Sequence, residues 1–349
     1  MGALSPEKQA PAEKQAGKPT SSTTSPLDLL LRYGIPLFIV LLSIYFAISA
    51  PNFLTIDNFL NVLRQISINT IVAVGMTFVI ITAGIDLSVG SIVALAAVIC
   101  TGVMKNGITI AHLTILPPPP PSIGVPLGII IGLLLGAFLG AFNGFFITRF
   151  LMPPFVVTLA MMTIARGLAF IYTGGFPVPE LPNSFITLGS GYIGPIPIPV
   201  IIMAVIALIA HYILTRTTFG RYVFAIGGNE EAARLSGINI NKVKLMVYTL
   251  SGFLAALAGI ILAARLGSGD PKTGQMYELN AIAACVLGGT SLMGGKGNIG
   301  GTFLGALLIG IIDNGLVLMR VSTFYQYVVK GGIILAAVLL DKVKEMRKA

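Results

Sequence analysis

The stretch GVPLGIIIGLLLGAFLGAFNGFFIT, residues 124–148, contains no charged side chain. About 20 helical residues cross a hydrocarbon core about 30 Å thick, so this run reads as a membrane-spanning helix. Within it Gly124, Gly128, Gly132, Gly136, Gly140 and Gly144 recur every fourth residue. Positions four apart share a helix face, so the helix carries a stripe bare of side chains, and another backbone can close against it. Such a stripe serves tight packing, and it also suits helices that slide past one another in transport. The same idea recurs at Ala255, Gly259 and Ala263, and at Gly297, Gly301 and Gly305.

Nine further apolar segments surround this one, at 33–50, 66–84, 89–105, 155–173, 197–214, 244–266, 279–292, 298–319 and 326–341. The chain is 55% hydrophobic and only 10% charged, against about 25% charged residues in soluble domains. An all-α membrane protein of about ten transmembrane helices follows. The segments at 89–105 and 279–292 are short and flanked by glycine, which suggests broken or re-entrant pieces held inside protein or along a cavity. Residues 1–27 are polar and rich in Lys, Pro, Ser and Thr. They read as a disordered tail rather than a signal peptide, so the first apolar run stays as an anchor and 28–349 form the membrane domain.

The net charge of +9 does not point to nucleic acid, because the basic residues gather in loops beside apolar runs. Placing both termini in the cytoplasm puts fifteen Lys and Arg inside and five outside, which is the expected inward bias. The basic loop 215–243 then lies on the cytoplasmic face. Pro117–Pro121, in an outer loop, read as an extended polyproline II spacer. Cys100 and Cys285 lie in apolar runs and read as inert packing residues, with neither a disulfide framework nor metal-ligand spacing.

Two motifs carry most of the functional information. In the basic loop, GRYVFAIGGNEEAARLSG spans Gly220–Gly237. From Asn229 it spells a short helix with its caps: Asn229 as N-cap, Glu230 and Glu231 at the positive end of the dipole, and Gly237 as the residue after the C-cap. About seven residues make a helix of about 10 Å, too short to stand alone. Ala232, Ala233 and Leu235 give it a small apolar face suited to a groove on another protein. An ordinary interfacial helix joining two spans has the same pattern. The second motif is TAGIDLSVGS, residues 82–91. A carboxylate such as Asp86 in apolar surroundings is a functional candidate. Equally, Asp86 and Ser88 suit the start of the next helix, with Gly84 and Gly90 allowing the turn. Together with Asn143 and Asp313 these four residues are the candidates for a translocation path or a helix break.

These two stretches, with CVLGGTSLMGGKGNIGGT at 285–302, strongly resemble the permease subunits of ribose-, xylose- and galactose-type ABC importers, and the resemblance covers nearly the whole chain after residue 27. It implies a multi-pass protein of the bacterial cytoplasmic membrane that pairs with a second permease copy. Its other partners would be a separate ABC ATPase subunit and an extracytoplasmic sugar-binding protein. It also implies that Gly220, Asn229, Glu230, Glu231, Ala232, Ala233, Arg234 and Gly237 belong to the coupling helix that docks on the ATPase. The long polar tail and the Pro117–Pro121 insert depart from the family pattern.

GGTSLMGGKG, residues 288–297, is the nearest approach to a phosphate-binding loop, but Thr290 stands where the motif needs Gly, and Gly297 where it needs Ser or Thr. The chain is therefore expected to bind no ATP and no other cofactor itself, and this stretch reads as a tight turn. Arg166, Asp313 and Lys330 are charges within apolar runs, expected to pair or to reach a polar zone. An ion-coupled secondary transporter would have to use Asp86 and Asp313. A branched-chain amino acid permease shares the general organisation. An intramembrane enzyme finds no paired carboxylates, His cluster or nucleophile motif in the spans.

Overall fold

A computed structural model describes residue 2, residues 26–110 and residues 113–346. The expected tail 1–27 and His112 lie almost wholly outside those residues. Among the described residues, those from Ile35 onward form one compact unit.

Thirteen helices are described: α1 (Pro26–Ser49), α2 (Ile56–Ile81), α3 (Val89–Asn106), α4 (Pro121–Arg149), α5 (Pro154–Thr173), α6 (Asn183–Ser190), α7 (Ile198–Arg216), α8 (Thr218–Gly228), α9 (Glu230–Leu235), α10 (Ile240–Leu266), α11 (Tyr277–Leu287), α12 (Ile299–Leu318) and α13 (Thr323–Met346). Seven of them, α2, α3, α4, α5, α7, α10 and α12, are long and apolar enough to cross a membrane. Shorter apolar helices run over Gly34–Ser49 and Tyr277–Leu287. The segment at 89–105 is thus one unbroken helix, whereas 279–292 supplies only the 11 residues of α11 before the chain turns.

Two small antiparallel hairpins interrupt the helical pattern, β1 (Ile108–Ile110) with β2 (Leu113–Leu116) and β3 (Tyr192–Ile193) with β4 (Ile196–Pro197). The proline run is shorter as a spacer than the sequence suggested. Pro120 is extended at φ −59°, ψ 152°, but Pro121 already opens α4, because proline at N1 costs no hydrogen bond and its φ suits a helix.

The centre of the unit is α10, which packs against α2, α3 and α4. Helices α2 and α3 are buried over 89% and 83% of their apolar windows, whereas α4 and α7 are buried over 28% and 22%. The outer helices turn Leu134, Phe138, Leu208 and Ile209 outward, as lipid-facing helices must. The glycine stripe of α4 explains how it comes so close to the centre. A methyl at Gly136 would meet Ala256 and the Gly252 carbonyl, one at Gly140 the Tyr248 carbonyl, and one at Gly128 the Cys100 carbonyl. The stripe therefore closes on the backbones of α10 and α3. Similarly, Gly259 fits against the Val93 carbonyl, and Gly301 and Gly305 against the carbonyls of Gly288 and Ala284.

Helix α2 begins ten residues before the apolar run at 66–84 that announces it. Its polar first turns are used at one end of the bundle. Asn58 and Asn314 exchange reciprocal amide hydrogen bonds of 3.0 and 2.8 Å, and Arg265 donates to Asn61 at 3.0 Å. Nearby, the Arg64 guanidinium lies 4.8 Å from the centre of the Tyr192 ring. Outside the spans, Lys105 at the end of α3 pairs with Glu180 at 2.9 Å. That ammonium holds the exposed Glu180 carboxyl below the usual range.

Candidate functional site

The turn 82–88 joins α2 to α3, and it folds around Asp86. One carboxylate oxygen of Asp86 accepts hydrogen bonds from the Ser88 N–H, at 3.0 Å, and from the Ser88 hydroxyl. The other accepts from the Ser251 hydroxyl of α10 at 2.8 Å. The Asn143 amide of α4 donates to Ser88 Oγ at 2.9 Å, and the Thr158 hydroxyl of α5 reaches the Ile85 carbonyl. The Tyr248 hydroxyl lies where a methyl on Gly84 would have to go. Helices α4, α5 and α10 are thereby tied to the turn that joins α2 to α3. The capping expectation fails here: Ser88 stands at the N-cap of α3 but makes no side-chain capping bond. Its hydroxyl is engaged with Asp86 and Asn143 instead, and Asp86 closes a local turn onto Ser88. Asp86, Ser88 and Asn143 are fully buried, so none of them lines an open passage.

Gly90 has a different neighbour. Its carbonyl accepts from Arg166 on α5, whose guanidinium also donates to the carbonyls of Pro271 and Thr273 at 2.7 Å. Asp313 on α12 pairs with Lys330 on α13 at 3.0 Å, both largely buried. Of the two partners open to Asp313 from sequence, Lys330 is the one that takes it.

The second motif lies at the C-terminal end of α2, opposite the end where Asn58 meets Asn314. The Thr217 side chain caps α8, and Asn229 caps α9 by accepting the Ala232 N–H at 2.9 Å. Beyond the C-cap residue Ser236, Gly237 adopts φ +81°, and the Ile238 N–H returns to the Ala233 carbonyl at 3.1 Å. Glu230 faces Arg234 one turn on and holds Lys244 of α10 at 2.7 Å, which fixes the direction of α9. The apolar face read from sequence is split. Ala233 is turned inward, 4% exposed, whereas Leu235 is 82% exposed. Six residues make fewer than two turns, so residues two apart fall on opposite sides. The outward face of α9 consists of Glu231, Ala232, Arg234 and Leu235.

The third motif sits on the second. Gly289, Gly294 and Gly295 all have positive φ, so 288–297 is a tight glycine turn. The Gly295 N–H donates to the Ile81 carbonyl at the end of α2 at 2.9 Å. A methyl at Gly227 would strike that same carbonyl and Gly295 N, and one at Gly294 would meet Gly227, Ile81 and Ala83. The three sequence motifs, far apart in the chain, thus meet within van der Waals distance just before α9. Sequence reasoning missed this seat, and it missed a cleft beside Arg166 that also includes Glu278. A guanidinium within an apolar helix was the only pointer to that cleft.

Seven helices long and apolar enough to cross a membrane, with a capped, outward-facing short helix beside them, define a helical multi-pass membrane protein. The chain belongs to the family described as "Branched-chain amino acid transport system / permease component", whose sequence model matches residues 58–338. It is 49% identical over 318 residues to the ribose import permease protein RbsC of Bacillus subtilis (strain 168), covering 90% of this chain and 94% of that protein. It is 47% identical over 311 residues to the ribose import permease protein RbsC of Escherichia coli (strain K12), covering 88% and 92%. With the L-arabinose ABC transporter permease protein AraH of Azospirillum brasilense it shares 37% identity over 346 residues, covering 99% and 98%. No solved structure matches it.

Proposed function

We propose that this chain is the membrane-spanning permease subunit of an ABC importer that carries a monosaccharide, ribose or a related pentose or hexose, into the cytoplasm. The observation that carries this reading is the 49% identity to a ribose import permease across nearly both chains. The family description names branched-chain amino acids, but the relatives at 35–49% identity include proteins named for ribose, xylose and arabinose. An ion-coupled mechanism through the carboxylates read from sequence would have to release Asp86 from its hydrogen bonds or Asp313 from Lys330.

In this reading the domain 28–349 spans the inner membrane ten times, α1, α11 and α13 joining the seven long helices, with both termini in the cytoplasm. The loop 215–243 faces the cytoplasm, and α9 is the coupling helix. Glu231, Ala232, Arg234 and Leu235 offer a groove-filling surface to a separate ATPase subunit. Asn229, Glu230, Ala233 and Gly237 hold that surface in place, and Gly220 lets α8 pack against the end of α7. ATP binding to the motor moves α9, and the glycine seat passes the movement to α2 and α12. A second permease copy completes the path, and an extracytoplasmic binding protein delivers the sugar.

The test is co-expression of the chain with a candidate ABC ATPase and sugar-binding protein from the same organism, reading uptake of labelled ribose, xylose and valine into cells lacking their own importers. Ribose uptake without valine uptake is expected. Leu235→Asp and Glu231→Arg should abolish uptake and co-purification of the ATPase while leaving the chain in the membrane. Normal uptake and assembly in both variants would remove the coupling role.

A further inference from the structure

A cleft of about 390 Å³ opens on the flank of α5, within the range of small-molecule sites. Six polar side chains line it: Ser91 from α3, Thr163 and Arg166 from α5, Gln275 and Glu278 from the entry to α11, and Tyr327 from α13. Arg166 lies twelve residues into the 20-residue α5, deep within a span. Its guanidinium is aimed by the carbonyls of Pro271, Thr273 and Gly90. A guanidinium has five N–H donors, so two are left over. Ser91 is 1% exposed, and its hydroxyl has no partner among the described residues.

A face with this chemistry does not point at lipid. Each ionised side chain at the centre of a span costs about 2.5–3.5 kcal/mol on insertion scales when it faces hydrocarbon. Lipid-compatible surfaces are offered by α4 and α7, where Phe138 and Leu208 turn outward, and by Ile164, Leu168 and Ile171 on the other positions of α5. The cleft therefore opens onto a watery, protein-walled space in the assembled transporter. Its two ionisable side chains carry opposite charges, so it does not select ions of one sign. Hydroxyls, an amide and an aromatic ring supply the rest: donors and acceptors for a neutral polyhydroxylated solute, with a ring to lie against its C–H face.

We propose that this cleft is a monosaccharide-binding station inside the membrane, in which Arg166, Gln275 and Glu278 hold hydroxyls of the passing sugar. The proposal rests on the importer reading above and adds the place and the residues. The spare Arg166 donors and the unpartnered Ser91 hydroxyl are the groups that await a ligand. None of the six side chains belongs to the buried cluster around Asp86.

The experiment uses the complete transport complex in membrane vesicles. Thr163→Cys and Gln275→Cys place single thiols on exposed positions of the cleft, while the native Cys100 and Cys285 are fully buried and stay silent. Both new thiols should react with a water-soluble thiol reagent. By mass action, ribose at about ten times its half-saturating concentration should slow the reaction about tenfold, and valine should not. Thr163→Phe, which overfills the cleft, should lower ribose uptake by at least about fivefold, the size expected of overpacking by 1 kcal/mol or more. Unreactive thiols would show a dry cleft and overturn the proposal. So would protection by valine rather than ribose, or full ribose uptake by Thr163→Phe. If the wild-type complex imports no ribose or other monosaccharide, the importer reading falls and the station falls with it. If it imports ribose while both thiols react equally fast with and without the sugar, the station alone falls.

Discussion

Gly227 and Gly228 are neighbours in α8 with opposite surroundings, and replacing each by alanine separates a packing effect from a helix-propensity effect. A methyl on Gly227 would occupy the space of the Ile81 carbonyl, which already accepts the Gly295 N–H at 2.9 Å. A methyl on Gly228 would meet nothing within 4 Å among the described residues. Alanine is favoured over glycine in a helix by up to about 1 kcal/mol, and both variants share that gain. Gly227→Ala must also overpack against backbone, at about 1–3 kcal/mol, and lose the bond from Gly295, at about 1 kcal/mol. The expected net is a loss of about 1–3 kcal/mol for Gly227→Ala and a gain of up to about 1 kcal/mol for Gly228→Ala. Thermal unfolding of the purified chain in detergent reads the stability difference, and ribose uptake by the full complex reads the function. Equal midpoints, or a more stable Gly227→Ala, would refute the seat as described. Ribose uptake should fall in Gly227→Ala and persist in Gly228→Ala.

Lys330→Met should destabilise the chain by about 3–5 kcal/mol, because it leaves the Asp313 carboxylate buried without its partner. The double variant Lys330→Met with Asp313→Leu should recover most of that loss in the same unfolding assay. Ser251→Ala removes one donor to Asp86 and should cost about 1–3 kcal/mol, read as a lower unfolding midpoint. Asn58→Leu strands the amide of Asn314 and should cost a similar amount, again about 1–3 kcal/mol, with Asn58→Leu/Asn314→Leu less damaging than the single change.

All ten apolar runs of the sequence coincide with helices, 279–292 only as far as Leu287, because a helix satisfies its backbone polar groups within the segment. Their polar extensions were not legible. Asp57, Asn58, Asn61 and Arg64 hide the first turns of α2 from any hydropathy reading; Thr55 caps this start by accepting the Asn58 N–H, and Asn58, Asn61 and Arg64 find partners on α12, on α10 and in the β3–β4 hairpin. The caps of α9 could be read because Asn229 and Gly237 act locally. The inward turn of Ala233 could not, since it depends on where α10 lies. Asp86 stood out as a costly charge, but Ser251, which donates to it, and Asn143, which donates to Ser88, lie 165 and 55 positions from the groups they meet, and nothing in a single sequence links them. The cleft at Arg166 was invisible for the same reason: its six polar side chains come from four elements.

The pairing of Lys330 with Asp313 also bears on how the chain enters the membrane. In the ten-span reading α13 leaves the ribosome after α12, and it carries an ammonium that a bilayer resists. Its counter-charge is already in place on α12 when it arrives. Helix α13 is thus a conditional guest of the bilayer, admitted by the helix made just before it. An edit that shortens or reverses α12 should strand α13 outside the membrane even though α13 itself is unchanged.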